Sequence, residues 1–304
     1  MAGSGGVASG APRALTRVLF GGPWQLGQQT TGIAVDDQGR VFINDENNVY
    51  VVTGATPSVF LSRTDVIGLS DTSFGILGFQ DLDIGPDQQL YVAIGRTILR
   101  TNTAHTAALW RDLSASYSLP FYESLAVVGI DRVALATSSG LFDVTPAAAK
   151  LVYDPKTLNW GDSCATEDLS AARSGVFLYQ PGCNGSPLVR GDVDGSGVGV
   201  LYKSEYAGGS PLKASNFVCS ARDPKGGFYV VTRVPDGLAP ELYHLTEDSD
   251  QVNGIELIDT TPTLAQAQSS QTETFGFDYC AIAGAPDGSV YLVTYSQLWR
   301  VAPE

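Results

Sequence analysis

The chain has little positive charge, and this limits the partners that it suits. Its 304 residues include 18 Lys and Arg against 32 Asp and Glu, which gives a formal net charge of −14. Binding to nucleic-acid phosphates or to anionic membranes needs clustered basic side chains, and the sequence has no basic run. We therefore predict that nucleic acid is not a partner. The acidity suits either solubility or cation binding.

Long apolar runs are also lacking. No stretch approaches the roughly 20 apolar residues of a membrane-spanning helix, so no membrane-spanning segment is expected. Residues 1–12 are small and flexible, and they lack the basic and apolar regions of a signal peptide. They suit either an added tail or a linker behind a removed leader or a lipid-anchored cysteine, which would tether the protein to a surface.

Histidine and the motifs of familiar enzymes are scarce. Only His105 and His244 occur, far apart, which argues against a lyase that needs a set of histidines and against a Ser-His-Asp hydrolase. There is no Gly-x-Ser-x-Gly elbow. The stretch 192–197 is similar to the start of a calcium loop, but Lys203 stands where the twelfth-position glutamate belongs, so we predict a turn.

Cysteine is scarce as well. The four cysteines are Cys164, Cys183, Cys219 and Cys280, without the Cys-x-x-Cys spacing of a zinc ribbon. An even number favours disulfides and an extracytoplasmic location, whether secreted, periplasmic or surface-tethered. The preferred pairing is Cys164–Cys183 and Cys219–Cys280, although four cysteines allow three pairings and free buried thiols are the alternative.

One short unit recurs six times along the chain. An apolar strand leads through a Gly/Asp/Pro turn into a second apolar strand, then a third and usually a fourth; the clearest copies begin at Gly32 and Ala281. Repeats with periods near 40–50 residues are typical of propellers and solenoids. The last copy lacks a fourth strand, and residues 15–20 supply one from the other end of the chain, which closes a ring.

These repeats predict an all-β fold, a single six-bladed β-propeller with four antiparallel strands per blade and a last blade closed by an N-terminal strand. Residues 1–13 form a flexible segment and residues 14–304 the propeller. The blades are expected at residues 31–63, 79–113, 122–155, 162–204, 217–259, and 278–304 plus 14–21. The one candidate for a short helix is 263–271, where low complexity is the stronger explanation.

The repeats resemble six-bladed propellers of the NHL-repeat, gluconolactonase and strictosidine-synthase-like group. The resemblance rests on Ile-Ala-Val-Asp-x-x-Gly-x-Val-Phe at 33–42, Leu-Asp-Ile-Gly-Pro-Asp-x-x-Leu-Tyr at 82–91 and Pro-Asp-Gly-Ser-Val-Tyr at 286–291. It covers nearly the whole chain as architecture. It implies a scaffold that binders, lactonases, lyases and esterases share.

Three of the loops that enter the first strands are long: 64–78, 204–216 and 260–277. These loops emerge on one face of the propeller, here called the top. Since long loops on a rigid scaffold often carry function, we predict a site on the top face, around the mouth of the central channel. Oxygen-bearing side chains stand at the starts of five first strands: Asp81, Glu123, Asp162, Asn216 and Asp278. They are predicted to converge on one calcium ion. Acids and asparagines hold such a metal in the lactonase-like relatives, although Thr30 and Thr31 stand where a glutamate is expected. The alternative is that these side chains cap turns.

Aromatic residues accompany these acids and are predicted to form a ligand-binding collar: Phe79, Phe121, Tyr122, Trp160, Phe277 and Tyr279. Packing between blades is the alternative. The sequence favours an extracytoplasmic recognition module that binds a protein, peptide or glycan at the channel mouth. The alternative is a calcium-dependent hydrolase of the lactonase or arylesterase type. Catalysis is thus left open, with the balance against it.

Overall fold

The computed structural model describes sixteen segments of the chain: residues 13–18, 31–54, 56–69, 78–101, 106–113, 122–137, 140–154, 166–173, 176–181, 188–197, 199–202, 216–233, 241–248, 251–258, 280–294 and 297–303. Most of the described residues lie in β-strands, and the prediction of an all-β propeller is confirmed. The described strands form six four-stranded antiparallel sheets, here sheets I to VI.

Each of the first five sheets is made of four consecutive strands, ordered from the channel outwards. Sheet I contains β2 (Gly32–Val35), β3 (Val41–Asn44), β4 (Asn48–Val52) and β5 (Pro57–Ser62). Sheet II contains β6 (Phe79–Ile84), β7 (Leu90–Ile94), β8 (Thr97–Thr101) and β9 (Ala107–Asp112). Sheet III contains β10 (Tyr122–Gly129), β11 (Arg132–Thr137), β12 (Gly140–Val144) and β13 (Ala149–Tyr153).

Sheet IV contains β14 (Thr166–Arg173), β15 (Val176–Pro181), β16 (Leu188–Asp192) and β17 (Gly199–Tyr202). Sheet V contains β18 (Asn216–Arg222), β19 (Phe228–Arg233), β20 (Glu241–Asp248) and β21 (Gln251–Ile258). Sheet VI contains β22 (Cys280–Gly284), β23 (Val290–Thr294), β24 (Gln297–Val301) and, from the other end of the chain, β1 (Leu15–Arg17). The first strands of neighbouring sheets contact one another around the ring, including that of sheet VI with that of sheet I.

The N-terminal strand closes sheet VI, as the repeat pattern predicts. Leu15 pairs with Val301, and the Val18 amide donates to the Leu298 carbonyl at 2.8 Å. Leu15 is fully buried and lies in one apolar cluster with Trp299. Since β1 occupies the fourth position of the sheet, the backbone groups of β24 have partners on both sides.

In several sheets, an aspartate caps the tight turn between the first and second strands. The Asp36 carboxylate accepts hydrogen bonds from the amides of Gln38 at 3.0 Å and Arg40 at 2.8 Å. Asp223 and Asp287 do the same for the amide two residues later. This local geometry is characteristic of Asx turns, which explains why the turns were recognisable in the sequence.

One short helix, α1 (Arg63–Val66), begins directly after β5. The sequence predicts a loop over residues 64–78, and this is wrong for residues 64–66, which belong to the helix. Ser62 caps the helix: its hydroxyl accepts the Asp65 amide at 3.3 Å, while the Asp65 carboxylate accepts the Ser62 amide at 2.9 Å. This reciprocal capping box fixes the first turn, and the buried Val66 anchors it to the core. The helix candidate at 263–271 lies outside the described residues.

None of the helices that the structure describes has the length and hydropathy needed to cross a bilayer.

Candidate functional site in the central channel

The first strands of the six sheets surround a cavity of about 320 Å³. Thr31 and Asp81 line it near the ends where β2 and β6 begin, and Pro86, Pro224 and Pro286 line it at the turns that follow the first strands. The cavity therefore extends along the axis of the ring and is not confined to the predicted top mouth. Its volume suits a small ligand.

Asp81, one of the predicted site residues, lies in the cavity wall. Its Oδ1 accepts the Leu82 amide at 2.8 Å, and its Oδ2 accepts the Leu125 amide at 2.7 Å and the Ser124 hydroxyl at 2.9 Å. Burial raises the pKa of the Asp81 carboxyl to about 7, although these three bonds act to lower it. The side chain is partly exposed to the cavity that it lines, and desolvation by the surrounding protein outweighs the three hydrogen bonds.

Asp83 is a second carboxylate in the same wall, and the sequence analysis missed it. Its Oδ1 accepts the Ile84 amide and its Oδ2 accepts the Val127 amide, both at 2.7 Å. Burial raises the pKa of Asp83 to about 6, against the lowering effect of these bonds. The signal for Asp83 was present, because residues two apart in a strand lie on the same face, and Asp81 and Asp83 are two apart.

Both carboxylates bind the neighbouring sheet, and the connections continue around the channel. The Leu169 amide of β14 donates to the Ser124 hydroxyl of β10 at 3.1 Å. The hydroxyls of Ser170 and Ser220 lie 2.7 Å apart and join β14 to β18. Polar side chains thus link the first strands of sheets II to V. The side chains that make these links are Asp81, Asp83, Ser124, Ser170 and Ser220.

The corner between sheets I and II is polar as well. Asn44 at the end of β3 is fully buried, and its Nδ2 donates to the Thr31 hydroxyl at 2.7 Å and to the Phe79 carbonyl at 3.2 Å. A β carbon on Gly32 would lie 2.5 Å from Asp81 Oδ1 and 2.6 Å from Asn44 Oδ1. Only glycine fits here, because any side chain would displace these two polar groups.

The predicted calcium set is only partly described. Asp81 lines the cavity; Glu123 is the second residue of β10 and Asn216 the first of β18, both with backbone alone described; Asp162 and Asp278 lie outside the described residues. Within the described ranges, no three His, Cys, Asp or Glu residues come together as a metal group. Asp81 already accepts three hydrogen bonds, so the described residues do not make a calcium cage by themselves.

The predicted aromatic collar has one fully described member. Phe79 is 1% exposed and packs with Phe42 and Leu82 in the core between sheets I and II. This is the packing role that the sequence left open as the alternative. Tyr122 begins β10 with its side chain not described, and Phe121, Trp160, Phe277 and Tyr279 lie outside the described residues.

The described cysteines are consistent with disulfide bonding. Cys219 in β18 is fully buried and disulfide-bonded, and none of the described cysteines is free. Cys280 is the first residue of β22, where its backbone alone is described, and Cys164 and Cys183 lie outside the described residues. The pairing predicted from the sequence stays a prediction.

His244 lies away from the channel, as predicted, in a cross-strand stack that the sequence did not reveal. Its ring stacks on Tyr229 at 4.4 Å, and its Nε2 lies 2.8 Å from Asp223 Oδ2. Burial acts to raise the pKa of Asp223, but the hydrogen bond from His244 and the amide of Lys225 prevail and the pKa is lowered. Tyr229 and His244 are paired across the second and third strands of sheet V. Tyr291 and Arg300 are paired in the same way in sheet VI, where Arg300 lies over the Tyr291 ring. The stack is therefore a feature of the repeat.

No protein-family model matches the chain, and no curated protein matches it. Solved structures do. A gluconolactonase from Xanthomonas campestris aligns over 99% of this chain and 98% of its own length, with a TM-score of 0.62 and 13% identity. A regucalcin from Agrobacterium tumefaciens, described as a calcium-binding protein, aligns over 96% and 95%, with a TM-score of 0.62 and 12% identity. A streptogramin B lyase aligns over 96% and 98%, with a TM-score of 0.56 and 10% identity. At such identities these likenesses establish the propeller fold alone.

Proposed function

We propose that this protein is a hydrolase that acts on a lactone or another small ester in the central channel. The observation that carries the proposal is Asp81, a carboxyl in the wall of a cavity of about 320 Å³ whose pKa burial raises to about 7. A general base works best when its pKa lies near the working pH. The likeness to a gluconolactonase and to a calcium-binding regucalcin supports this choice among propeller functions.

Asp81 would move the proton in this reaction. In its ionised form it takes a proton from a water molecule as the water oxygen bonds to the substrate carbonyl carbon. The carbon–oxygen bond to the alcohol then breaks, and the protonated Asp81 returns the proton to the leaving oxygen. The hydrogen bonds from the Leu125 amide and the Ser124 hydroxyl fix the carboxylate towards the channel.

The rest of the channel suits a small polar substrate. Its wall carries the second carboxylate, Asp83, and the hydroxyl-bearing residues Ser170 and Ser220 on sheets IV and V. Calcium, if held by Asp81 with Glu123, Asp162, Asn216 and Asp278, would supply a Lewis acid for the substrate carbonyl. The described residues do not complete its site, and the proton transfer by Asp81 does not require it.

Kinetic assays with a panel of sugar lactones and aryl esters, in calcium and in EDTA, test the proposal. We expect Asp81→Asn to lower kcat by about 10²–10⁴-fold, the usual contribution of a general base. Asp83→Asn is the matched control, because it loses the same kind of bond to β10 but keeps Asp81. Equal activity in the wild type and in Asp81→Asn, or no turnover of any ester by the wild type, would refute the hydrolase.

The remaining predictions become parts of this proposal. We propose that each of the six sheets is one blade of a gluconolactonase-like or strictosidine-synthase-like propeller, because each has the same four-stranded order. We also propose that the protein is extracytoplasmic and that its N-terminal segment tethers it to a surface.

A recognition module that binds a protein, peptide or glycan is the function to test next if no ester is hydrolysed. The assay for it is capture of a partner by the top loops.

A further inference from the structure

One position of the repeat departs from the pattern of the other sheets. In every sheet, one residue near the end of the first strand pairs with the second-strand residue six positions later, and it is apolar or small in five sheets but an arginine in sheet V. These residues lie at one level near the lower end of the channel, where the first strands finish. We call them the lower belt: Val35, Ile84, Val127, Ala171, Arg222 and Gly284. Because the repeat does not require a charge at this level, Arg222 is a candidate for function.

The guanidinium of Arg222 has no partner in the protein among the residues that the structure describes. Arg222 is exposed and lines the cavity, and no described residue forms a hydrogen bond or an ion pair with its side chain. At the corresponding turn of sheet I, Arg40 does have a carboxylate partner, Asp36. The aspartate that follows Arg222 in the chain, Asp223, pairs with His244 instead. The five N–H donors of Arg222 are therefore available to a ligand.

The acids of the cavity wall determine where an anionic group can bind. Asp37, Asp81 and Asp83 line the cavity, and Arg222 is the one basic residue among the described lining residues. Repulsion by the carboxylates keeps an anion away from the rest of the wall and leaves Arg222 as its place. Asp81 is three residues before Ile84 of the lower belt, which is about 10 Å along the strand. A ligand with one anionic end would thus lie along the channel with that end away from Asp81.

The surroundings of Arg222 are fixed before a ligand binds. A β carbon on Gly284 would lie 2.3 Å from the Arg222 carbonyl oxygen and 2.9 Å from Pro224 Cδ, so sheets V and VI are in close contact here. Pro86, Pro224 and Pro286 line the cavity just beyond the lower belt and restrict the backbone of three turns. Little backbone freedom is therefore lost on binding, which favours affinity.

We propose that Arg222 binds the anionic end of the substrate, which is an ester or lactone that carries a carboxylate or a phosphate. The planar guanidinium donates two parallel hydrogen bonds to either group. Val35, Ile84 and Val127 of the lower belt provide an uncharged wall for the body of the molecule. The assignment of a substrate rests on the proposed hydrolase, with the carbonyl carbon at Asp81. Binding of the anionic group alone requires no turnover.

Calorimetric titration of the full chain with hexanoate, hexyl phosphate and the neutral hexanamide tests the anion site. We expect at least one of the two anions to bind more tightly than hexanamide, because only an anion gains the charge-assisted hydrogen bonds of Arg222. The anion that binds more tightly distinguishes a carboxylate ligand from a phosphate ligand. Equal affinity for all three compounds, or no binding of either anion, would overturn the proposal.

Variants locate the site. Arg222→Met keeps an unbranched side chain without the charge, and should weaken anion binding by about tenfold or more while binding of hexanamide stays unchanged. Lys225→Met is the matched control, because it removes one positive charge from the exposed turn that follows and Lys225 is not among the lining residues. Wild-type anion affinity in Arg222→Met would overturn the proposal. The comparison of anions with hexanamide in the wild type decides the matter even if Arg222→Met does not fold.

Ester kinetics separate this inference from the hydrolase itself. Monomethyl adipate carries a carboxylate where dimethyl adipate carries a second methyl ester. We expect a higher kcat/KM for monomethyl adipate, and we expect Arg222→Met to lose that preference. Hydrolysis of both esters without preference would overturn the role of Arg222 and leave the hydrolase in place. Binding of an anion by Arg222 without hydrolysis of any ester would refute the hydrolase and leave the anion site in place.

Discussion

The Asp83 carboxylate accepts the backbone amide of Val127 at 2.7 Å, across the junction between sheets II and III. Two residues earlier in each strand, Asp81 accepts the amide of Leu125 at the same distance. The first strands of sheets II and III are thus joined by hydrogen bonds from backbone amides to side-chain carboxylates. Adjacent strands within one sheet are joined instead by hydrogen bonds between backbone groups. Both carboxylates line the channel and also hold neighbouring sheets together. A substitution that tests the chemical role of Asp81 therefore also removes a contact that stabilises the ring.

Stability should fall as pH rises from about 4 to about 7. Burial raises the pKa of Asp81 to about 7 and that of Asp83 to about 6, so the folded protein binds more protons than the unfolded chain in this window. The stabilisation is full below the unfolded pKa near 4 and is lost as pH passes the folded values, on the order of 1–3 kcal/mol for each group. Denaturant unfolding from pH 4 to 8 measures it, and Asp83→Asn should flatten the slope. An unchanged slope in that variant would contradict the assignment.

Gly32→Ala should destabilise the protein by about 1–3 kcal/mol, because the new methyl group would lie 2.5 Å from Asp81 Oδ1 and 2.8 Å from the Leu82 amide nitrogen. Gly129→Ala is the control, since its β carbon would meet only Arg132 at 3.6 Å. We expect the control to change the free energy of unfolding by less than about 0.5 kcal/mol. Equal effects of the two substitutions would show that sheet II does not pack on Gly32 as described.

His244→Phe should cost about 1–3 kcal/mol, because it keeps a ring against Tyr229 but leaves the buried Asp223 carboxylate without its 2.8 Å partner. Arg300→Met at the same register position of sheet VI should cost less than about 1 kcal/mol, since Arg300 and Asp287 are 40% and 53% exposed. Urea unfolding of both variants compares them. A larger loss from the Arg300 substitution would reverse the expected order.

Leu15→Ala should destabilise the ring closure by about 2–5 kcal/mol, because Leu15 is fully buried in the cluster that contains Trp299. Thr16→Ala in the same strand is the control, as Thr16 is exposed and its hydroxyl donates only to the Arg300 carbonyl. Thermal unfolding should separate the two clearly. Similar melting temperatures would mean that β1 adds little to the closure.

Peptide mapping without reduction should recover Cys219 linked to Cys280. Cys219 is disulfide-bonded, and its strand β18 contacts β22, which Cys280 begins. The remaining pair would then be Cys164–Cys183. Recovery of Cys219 linked to either of these cysteines would refute the pairing, and the fully reduced sample provides the reference map.

The position of Asp81 in the channel followed from the repeat pattern, whereas its partners did not. Leu125, whose amide it accepts, is 44 residues away in the sequence. Asp83 was recognisable in principle from the two-residue period of a strand, but nothing in the neighbourhood of Ser124 or Asn44 distinguishes them from other polar residues. The role of Phe79 was left open for the same reason, because burial between two sheets depends on both of them.

The sequence by itself determined the strands, the aspartate-capped turns and the N-terminal closure, because alternation, turn chemistry and a missing outer strand are local or countable features. Only the tertiary structure decided that Asp81 and Asp83 bind the next sheet, that Gly32 brings Asn44 and Asp81 together, and that His244 pairs with Asp223. These contacts join residues from different strands or sheets, and their energies depend on burial that exists only once the ring has closed.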